Sequence, residues 1–105
     1  MTDLISFIVR LPTQPAKRDE MRSKLFAVLD RMAQEPDFIN TWVHEDVNAP
    51  DTLVLYETWA CSQAYFVSHH LTQPYRQDYE AALPGLLSKD RSIEFLKPIR
   101  TVSAN

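Results

Sequence analysis

The chain has 105 residues, of which 11 are basic and 14 are acidic, and its formal net charge is −3 at pH 7. This length predicts one domain over residues 1–105, with a core at about 3–99 and a polar tail at 100–105. The scattered basic residues argue against nucleic acid and anionic membrane as partners. The single cysteine, Cys61, and the lack of a membrane-length apolar run or basic leader favour a cytoplasmic protein.

The first half of the chain predicts a strand, a helix and a hairpin. Residues 4–11 are mostly apolar, β-branched or aromatic, which is typical of a central strand buried on both faces. An amphipathic helix ending near residue 35 is indicated by apolar residues at steps of three and four: Met21, Leu25, Val28, Leu29 and Met32. Residues 38–47 alternate in polarity and are predicted to pair with a strand at 53–59 through a turn at 48–51.

The second half predicts a pair of helices and a last strand. A helix at about 62–70 is broken near residues 72–74, and a second helical pattern places Tyr75, Tyr79, Ala82 and Leu83 on one side, until Pro84-Gly85 ends or kinks it. Residues 92–98 alternate again. This order indicates the ferredoxin-like split β-α-β fold, an α+β sandwich with helices on one face of a four-stranded antiparallel sheet. The bare second face predicts a homodimer through the sheet faces.

Two short motifs within residues 52–87 carry a family resemblance. The strand ends in Tyr56-Glu57-Thr58-Trp59, and the following helix carries His69, Thr72 and Tyr75. With the element order, these residues resemble the antibiotic biosynthesis monooxygenase family, whose pattern has a histidine, a serine or threonine three residues later, and often a second histidine and an aromatic residue. Pro74 stands where that second histidine is common.

The resemblance implies a fold and an activity. Proteins of this family form dimeric α+β barrels, and the family includes enzymes that oxidise quinols or hydroxylated polycyclic aromatics with O2 and without metal or flavin. The expected function is therefore a cofactor-independent monooxygenase, with a small aromatic substrate and O2 as its partners. Because the fold also carries other chemistry, an isomerase or tautomerase of a small metabolite and a non-catalytic binding dimer remain alternatives.

Three residues are candidates for the base that such a reaction needs. His69 is the first choice, because an imidazole titrates near neutrality and can accept a phenolic proton. His44 is a rival that is expected to reach a cleft between sheet and helices. Glu57 shares strand parity with Leu55 and Trp59, so its carboxylate should lie on an apolar face and be paired or protonated. In an α-helix His70 would face away from His69, and we assign it to the surface or a dimer contact.

Substrate binding is expected to use aromatic side chains and one amide. Asn40 is a candidate donor to a developing oxyanion, and flat walls for a planar substrate are predicted from five aromatic residues: Trp42, Tyr56, Trp59, Tyr75 and Tyr79. A metal site is not expected, because His69 and His70 are adjacent while His44 lies apart, with no cysteine or carboxylate at ligand spacing. The sequence has a single glycine, Gly85, and so lacks a glycine-rich phosphate loop.

Overall fold

The computed structural model describes residues 3–104 as a four-stranded antiparallel sheet with helices on one face. Its elements are β1 at Ile5–Pro12, a 3-10 turn at Pro15–Lys17, α1 at Arg18–Met32, β2 at Phe38–Asp46, β3 at Ala49–Trp59, α2 at Gln63–Tyr65, a π-helix at Phe66–His70, a 3-10 turn at Pro74–Arg76, α3 at Gln77–Leu86 and β4 at Ser92–Leu96. The strand order β2-β3-β1-β4 is that of the predicted ferredoxin-like fold. No helix of the described residues is long and apolar enough to cross a membrane.

The core lies between the helices and the inner face of the sheet. Alternate residues of β1 and β3 point inward, and the register pairs Val9 with Leu55 and Phe7 with Glu57. The apolar stripe of α1 covers this face through buried Met21, Leu25, Val28 and Met32. The predicted central position of β1 is therefore confirmed, since β3 and β4 pair with its two edges.

The hairpin between β2 and β3 turns earlier than predicted. Asp46 pairs with Ala49, so the turn consists of Val47 and Asn48, and β3 starts at Ala49. The Asp46 carboxylate accepts a hydrogen bond from the backbone N–H of Asn48 at 2.9 Å, which closes a local turn without glycine. The expected turn at residues 48–51 was wrong because Asp46 supplies the turn chemistry.

The outer face of the sheet is covered by none of the helices. Its side chains include Trp42, Tyr56 and Leu96, all exposed, and Trp42 has 64% of its surface accessible. The inner face, in contrast, holds Trp59 and Leu11 with no accessible surface. The two faces of the sheet thus differ in burial, and the outer face exposes several large apolar side chains.

We expect Leu11→Ala to lower the free energy of unfolding by about 2–5 kcal/mol, because truncation leaves a cavity in the packed core. Urea unfolding at fixed protein concentration measures this change. Leu4→Ala is the matched control, since Leu4 is 45% exposed beside the same strand, and its loss should be below about 1 kcal/mol. Equal losses for the two variants would contradict the assigned core.

Candidate functional site

A narrow cavity lies between the inner sheet face and the helices. Apolar side chains from β1, α1, β3 and the π-helix form most of its wall, and its polar groups belong to Glu57, Arg76, Tyr79 and Arg91. Its volume of about 20 Å³ is room for a single water molecule. The site is therefore narrow in this conformation.

Glu57 brings a carboxyl group into this apolar wall. Only 3% of its surface is accessible, and Trp59 Nε1 donates a hydrogen bond to its Oε1 at 3.1 Å. Burial raises the pKa of Glu57 above its ordinary value, while the Trp59 hydrogen bond and the charge of Arg76 act in the opposite direction. The expectation that Glu57 lies on an apolar face and needs a partner is confirmed.

Two arginines that the sequence did not single out complete the polar part of the cavity. Arg76 is buried and its guanidinium lies 5.7 Å from the centre of the Tyr79 ring. Arg76 and Arg91 each donate to Glu80 Oε2 at 2.8 Å. Burial alone would raise the pKa of Glu80, but the two arginines lower it. Arg76 lies three residues before Tyr79 and therefore on the apolar side of the predicted helix. This spacing could have indicated that Arg76 faces the core.

Tyr79 faces the cavity as a neutral phenol. Burial raises its pKa to about 12, and the nearby arginines only partly oppose this effect. The hydroxyl therefore keeps its proton at neutral pH and can donate a hydrogen bond. Tyr75 is placed differently: it is half-buried, lies under the guanidinium of Arg31 at 5.1 Å, and is not part of the cavity wall.

His69 was expected at the site and His70 at the surface, but the structure shows the reverse burial. His69 is exposed, stacks on Tyr65 at 4.7 Å and lies outside the cavity wall, with its Nε2 3.0 Å from Gln73 Nε2. His70 is 3% exposed and packs 4.5 Å from the Trp59 ring. The assignment of His70 to the surface was wrong because residues 66–70 form a π-helix, whose wider turn changes the direction of each side chain.

Three further candidates lie on the opposite side of the sheet. These are residues of β2 on the outer face, and each lies opposite a residue of β3: Asn40 opposite Thr58, Trp42 opposite Tyr56 and His44 opposite Val54. A bulge between Phe38 and Asn40 shifts the register, so that Phe38 stays in the core against Trp59. The expectation that His44 reaches a cleft between sheet and helices was wrong. Its Nδ1 lies 3.2 Å from the carbonyl oxygen of Val54.

The fold thus divides the predicted site residues into three groups. Glu57 and Tyr79 meet at the cavity, and Trp59 lies beside them in the core, bound to Glu57. His69 and Tyr75 lie outside the cavity wall on the helical side, whereas Asn40, Trp42 and His44 occupy the outer sheet face.

Groups able to hold a metal ion meet at the other side of Trp59. Ligand atoms of Glu35, His69 and His70 lie within 4.8 Å of one another, as do those of Asp37, Cys61 and His70. Sequence spacing gave no sign of these groupings, because the carboxylates come from the loop after α1 and the histidines from a later π-helix.

The cavity combines three chemical properties. Its mostly apolar wall is less polar than bulk water, which strengthens electrostatic interactions inside the cavity. A carboxyl group with a raised pKa can take a proton from a weak acid. The guanidinium groups of Arg76 and Arg91 and the hydroxyl of Tyr79 can stabilise the anion that this transfer creates.

We expect Glu57→Gln to stabilise the protein more at neutral pH than at pH 4.5. The folded-state pKa of Glu57 lies above the reference value of 4.5, so the folded protein binds more protons and loses stability as the pH rises through this window. Glutamine keeps the acceptor for Trp59 but carries no charge. Thermal unfolding between pH 4.5 and about 8 measures the difference.

Glu20→Gln is the matched control for this prediction, because Glu20 is exposed in the first turn of α1. Its melting temperature should follow the wild type at every pH. A Glu57→Gln melting curve parallel to that of the wild type would contradict the raised pKa.

Comparison with solved structures shows the same fold in other proteins. Rv0793 from Mycobacterium tuberculosis is 22% identical with a TM-score of 0.82, and the alignment covers 95% of this chain and 99% of that one. NE2512 from Nitrosomonas europaea is 21% identical with a TM-score of 0.76, covering 100% and 97%. SnoaB, a cofactor-independent oxygenase from Streptomyces nogalater, is 19% identical with a TM-score of 0.80, covering 97% and 99%.

Among curated protein sequences, none matches the chain significantly. The model of the family described as antibiotic biosynthesis monooxygenase matches residues 4–82, which include the whole of the Glu57 strand and Tyr79. The chain belongs to the antibiotic biosynthesis monooxygenase family.

Proposed function

We propose that this protein is a cofactor-independent monooxygenase that oxidises a quinol or a hydroxylated polycyclic aromatic with O2. The observation that carries the proposal is Glu57, a buried carboxyl group with a raised pKa in the wall of an apolar cavity. Family membership and the fold shared with SnoaB, a cofactor-independent oxygenase, support the same reaction class.

In the proposed reaction Glu57 removes a proton from the substrate. The resulting anion is electron-rich enough to pass an electron to O2, and Arg76, Arg91 and Tyr79 stabilise the negative charge. For an anthrone, one oxygen atom becomes the new carbonyl of the quinone and the other leaves as water. The substrate supplies all four electrons, so the balance needs no further reductant.

Substrate entry requires the cavity to widen. A volume of about 20 Å³ is far below that of an aromatic ring system. The segment from residue 60 to 76 covers one end of the cavity and consists of short turns, including the π-helix and the 3-10 turn at Pro74–Arg76. Such a segment has few regular backbone hydrogen bonds and opens at lower free energy than a continuous helix. We therefore assign the opening motion to it.

Trp59 serves in this proposal as a positioning residue, because its indole N–H holds the Glu57 carboxylate at 3.1 Å. His69 lies on the covering segment and would approach the substrate only when that segment moves. The outer face carries Asn40, Trp42 and His44. In this proposal they contact the second subunit and not the substrate.

We expect oxygen uptake with anthrone or a naphthoquinol to fall at least about 100-fold in kcat/KM in Glu57→Gln, since the variant lacks the proton acceptor. An oxygen electrode, corrected for spontaneous autoxidation, measures the rate. Glu20→Gln should retain the wild-type rate. Because the base must be ionised, the wild-type rate should rise with pH through the pKa of Glu57.

Other outcomes would assign the chemistry differently. Full activity in Glu57→Gln together with a large loss in His69→Ala would return the role of base to His69. Product formation that is unchanged when O2 is removed would favour an isomerase or tautomerase, for which a base beside the neutral acid Tyr79 is equally suited. A ligand that binds and returns unchanged would favour a binding protein.

A homodimer through the outer sheet faces is the second part of the proposal. Exposed Trp42, Tyr56 and Leu96 lie on this face with half-buried Ile8 and Val54, and such an apolar patch is typical of a protein interface. Two copies packed face to face would bury these side chains and form an α+β barrel.

We expect Trp42→Glu to convert the dimer into a monomer, because it places a charge among the apolar side chains of the proposed interface. Light scattering after size exclusion measures the mass. Val47→Glu adds the same charge in the hairpin turn, where Val47 is 91% exposed, and should leave the mass at twice that of the chain. A wild-type protein that is monomeric at micromolar concentration would contradict the assignment.

A further inference from the structure

The imidazole of His70 has one satisfied and one unsatisfied nitrogen. Its Nε2 lies 2.9 Å from Asp37 Oδ2. Its Nδ1 is buried and has no hydrogen-bond partner among residues 3–104. A buried polar atom without a partner carries a free-energy penalty of about 1–3 kcal/mol, so the arrangement calls for a physical reason.

The Asp37 carboxylate fixes the tautomer of this ring. A carboxylate accepts hydrogen bonds, so Nε2 carries the proton of this contact, and in the neutral imidazole the lone pair is then on Nδ1. The nearest acid on that side is Glu35, whose Oε2 lies 4.0 Å from Nδ1, too far for a hydrogen bond. Two atoms that both offer lone pairs therefore face each other across a gap, and a cation between them would satisfy both.

We propose that Glu35, His69 and His70 bind a divalent transition-metal ion, with zinc as the expected ion. Their ligand atoms lie within 4.8 Å of one another. Zinc bonds to imidazole nitrogen and carboxylate oxygen are about 2.0–2.2 Å long, so two ligand atoms on one ion lie roughly 3–4 Å apart. The Glu35–His70 separation fits this range, and exposed His69 needs a shift on the order of 1 Å.

The contact between Asp37 and His70 matches the outer shell of a metal site. A histidine that binds a metal through one nitrogen usually donates the other N–H to a carboxylate, which orients the ring and increases its basicity. Two imidazoles and one carboxylate also suit zinc, with the fourth position open to water. The site thus has three protein ligands and one supporting acid.

A second grouping, formed by Asp37, Cys61 and His70, competes with this assignment. An ion there would bind His70 Nε2 and displace the hydrogen bond to Asp37, while Nδ1 would remain without a partner. The grouping with Glu35 satisfies both nitrogens at once, and the geometry therefore favours it.

The ion would join two parts of the fold. Glu35 lies in the loop between α1 and β2, and both histidines lie in the π-helix that covers Trp59. Zinc should therefore raise the melting temperature, and above Kd the gain in stability should grow with the logarithm of the free zinc concentration.

Calorimetric titration of chelator-treated, untagged full-length protein with Zn²⁺ tests the site. We expect one ion per chain, at least about tenfold weaker binding in Glu35→Gln and Asp37→Asn, and loss of binding in His70→Ala. His44→Ala is the matched control, because it removes the remaining histidine of the chain from the opposite sheet face, and its affinity should equal that of the wild type. Where His70→Ala fails to fold, Glu35→Gln decides.

Three results would overturn the proposal. The first is a wild-type protein that does not bind zinc. The second is a loss of zinc affinity in His44→Ala as large as that in Glu35→Gln, and the third is a loss of affinity in Cys61→Ser while Glu35→Gln binds zinc as the wild type does. Substitution with Co²⁺ gives an independent measurement, because a thiolate-to-cobalt charge-transfer band would place the ion at Cys61. None of these measurements uses an aromatic substrate, so their outcome does not depend on the oxygen-uptake experiments.

Discussion

The burial of one carboxyl group, that of Glu57, is the constraint around which the helical side of the molecule is organised. A carboxylate within an apolar core is strongly disfavoured unless it is hydrogen-bonded and balanced by charge. The fold meets this requirement with the indole N–H of Trp59 and the buried guanidinium of Arg76. Arg76 in turn needs Glu80, which also binds Arg91. A single acidic residue on β3 therefore determines which polar groups α3 and the segment before β4 must supply.

Trp59 connects the two polar regions of the helical side. Its indole N–H donates to Glu57, and its ring centre lies 4.5 Å from that of the His70 imidazole, which is held by Asp37. Since the ring has no accessible surface, it cannot move without disturbing both regions. Any ligand that orders His70 would thus also restrict the carboxyl group in the cavity wall.

The sequence predicted the elements whose patterns are local. The stripe of α1 and the position of Glu57 between Leu55 and Trp59 follow from periods of 3.6 and 2, and both are present in the structure. The predictions failed where one extra residue interrupts the regular repeat of a strand or a helix. The bulge after Phe38 leaves His44 on the outer face of the sheet and not in the expected cleft, and the π-helix changed the environment of His70. Arg91 was missed because its pairing with Glu80 is set by a tertiary contact that residue spacing does not encode, whereas Arg76 pairs with Glu80 at the four-residue spacing of a helix.

The π-helix at Phe66–His70 makes segment length as important as segment composition. A π-helix holds one more residue in its turn than the α-helix that could replace it, and here the backbone N–H of Leu71 reaches the carbonyl of Phe66. Deleting one residue upstream of the paired histidines would allow a regular α-helix. The remaining residues of that turn would then decide which histidine faces Trp59. Among related proteins, the gain or loss of a single residue in this stretch would change which side chain points toward the core, even if no residue is substituted. A sequence alignment that ignores such gaps would therefore match histidines that do not occupy the same position in space.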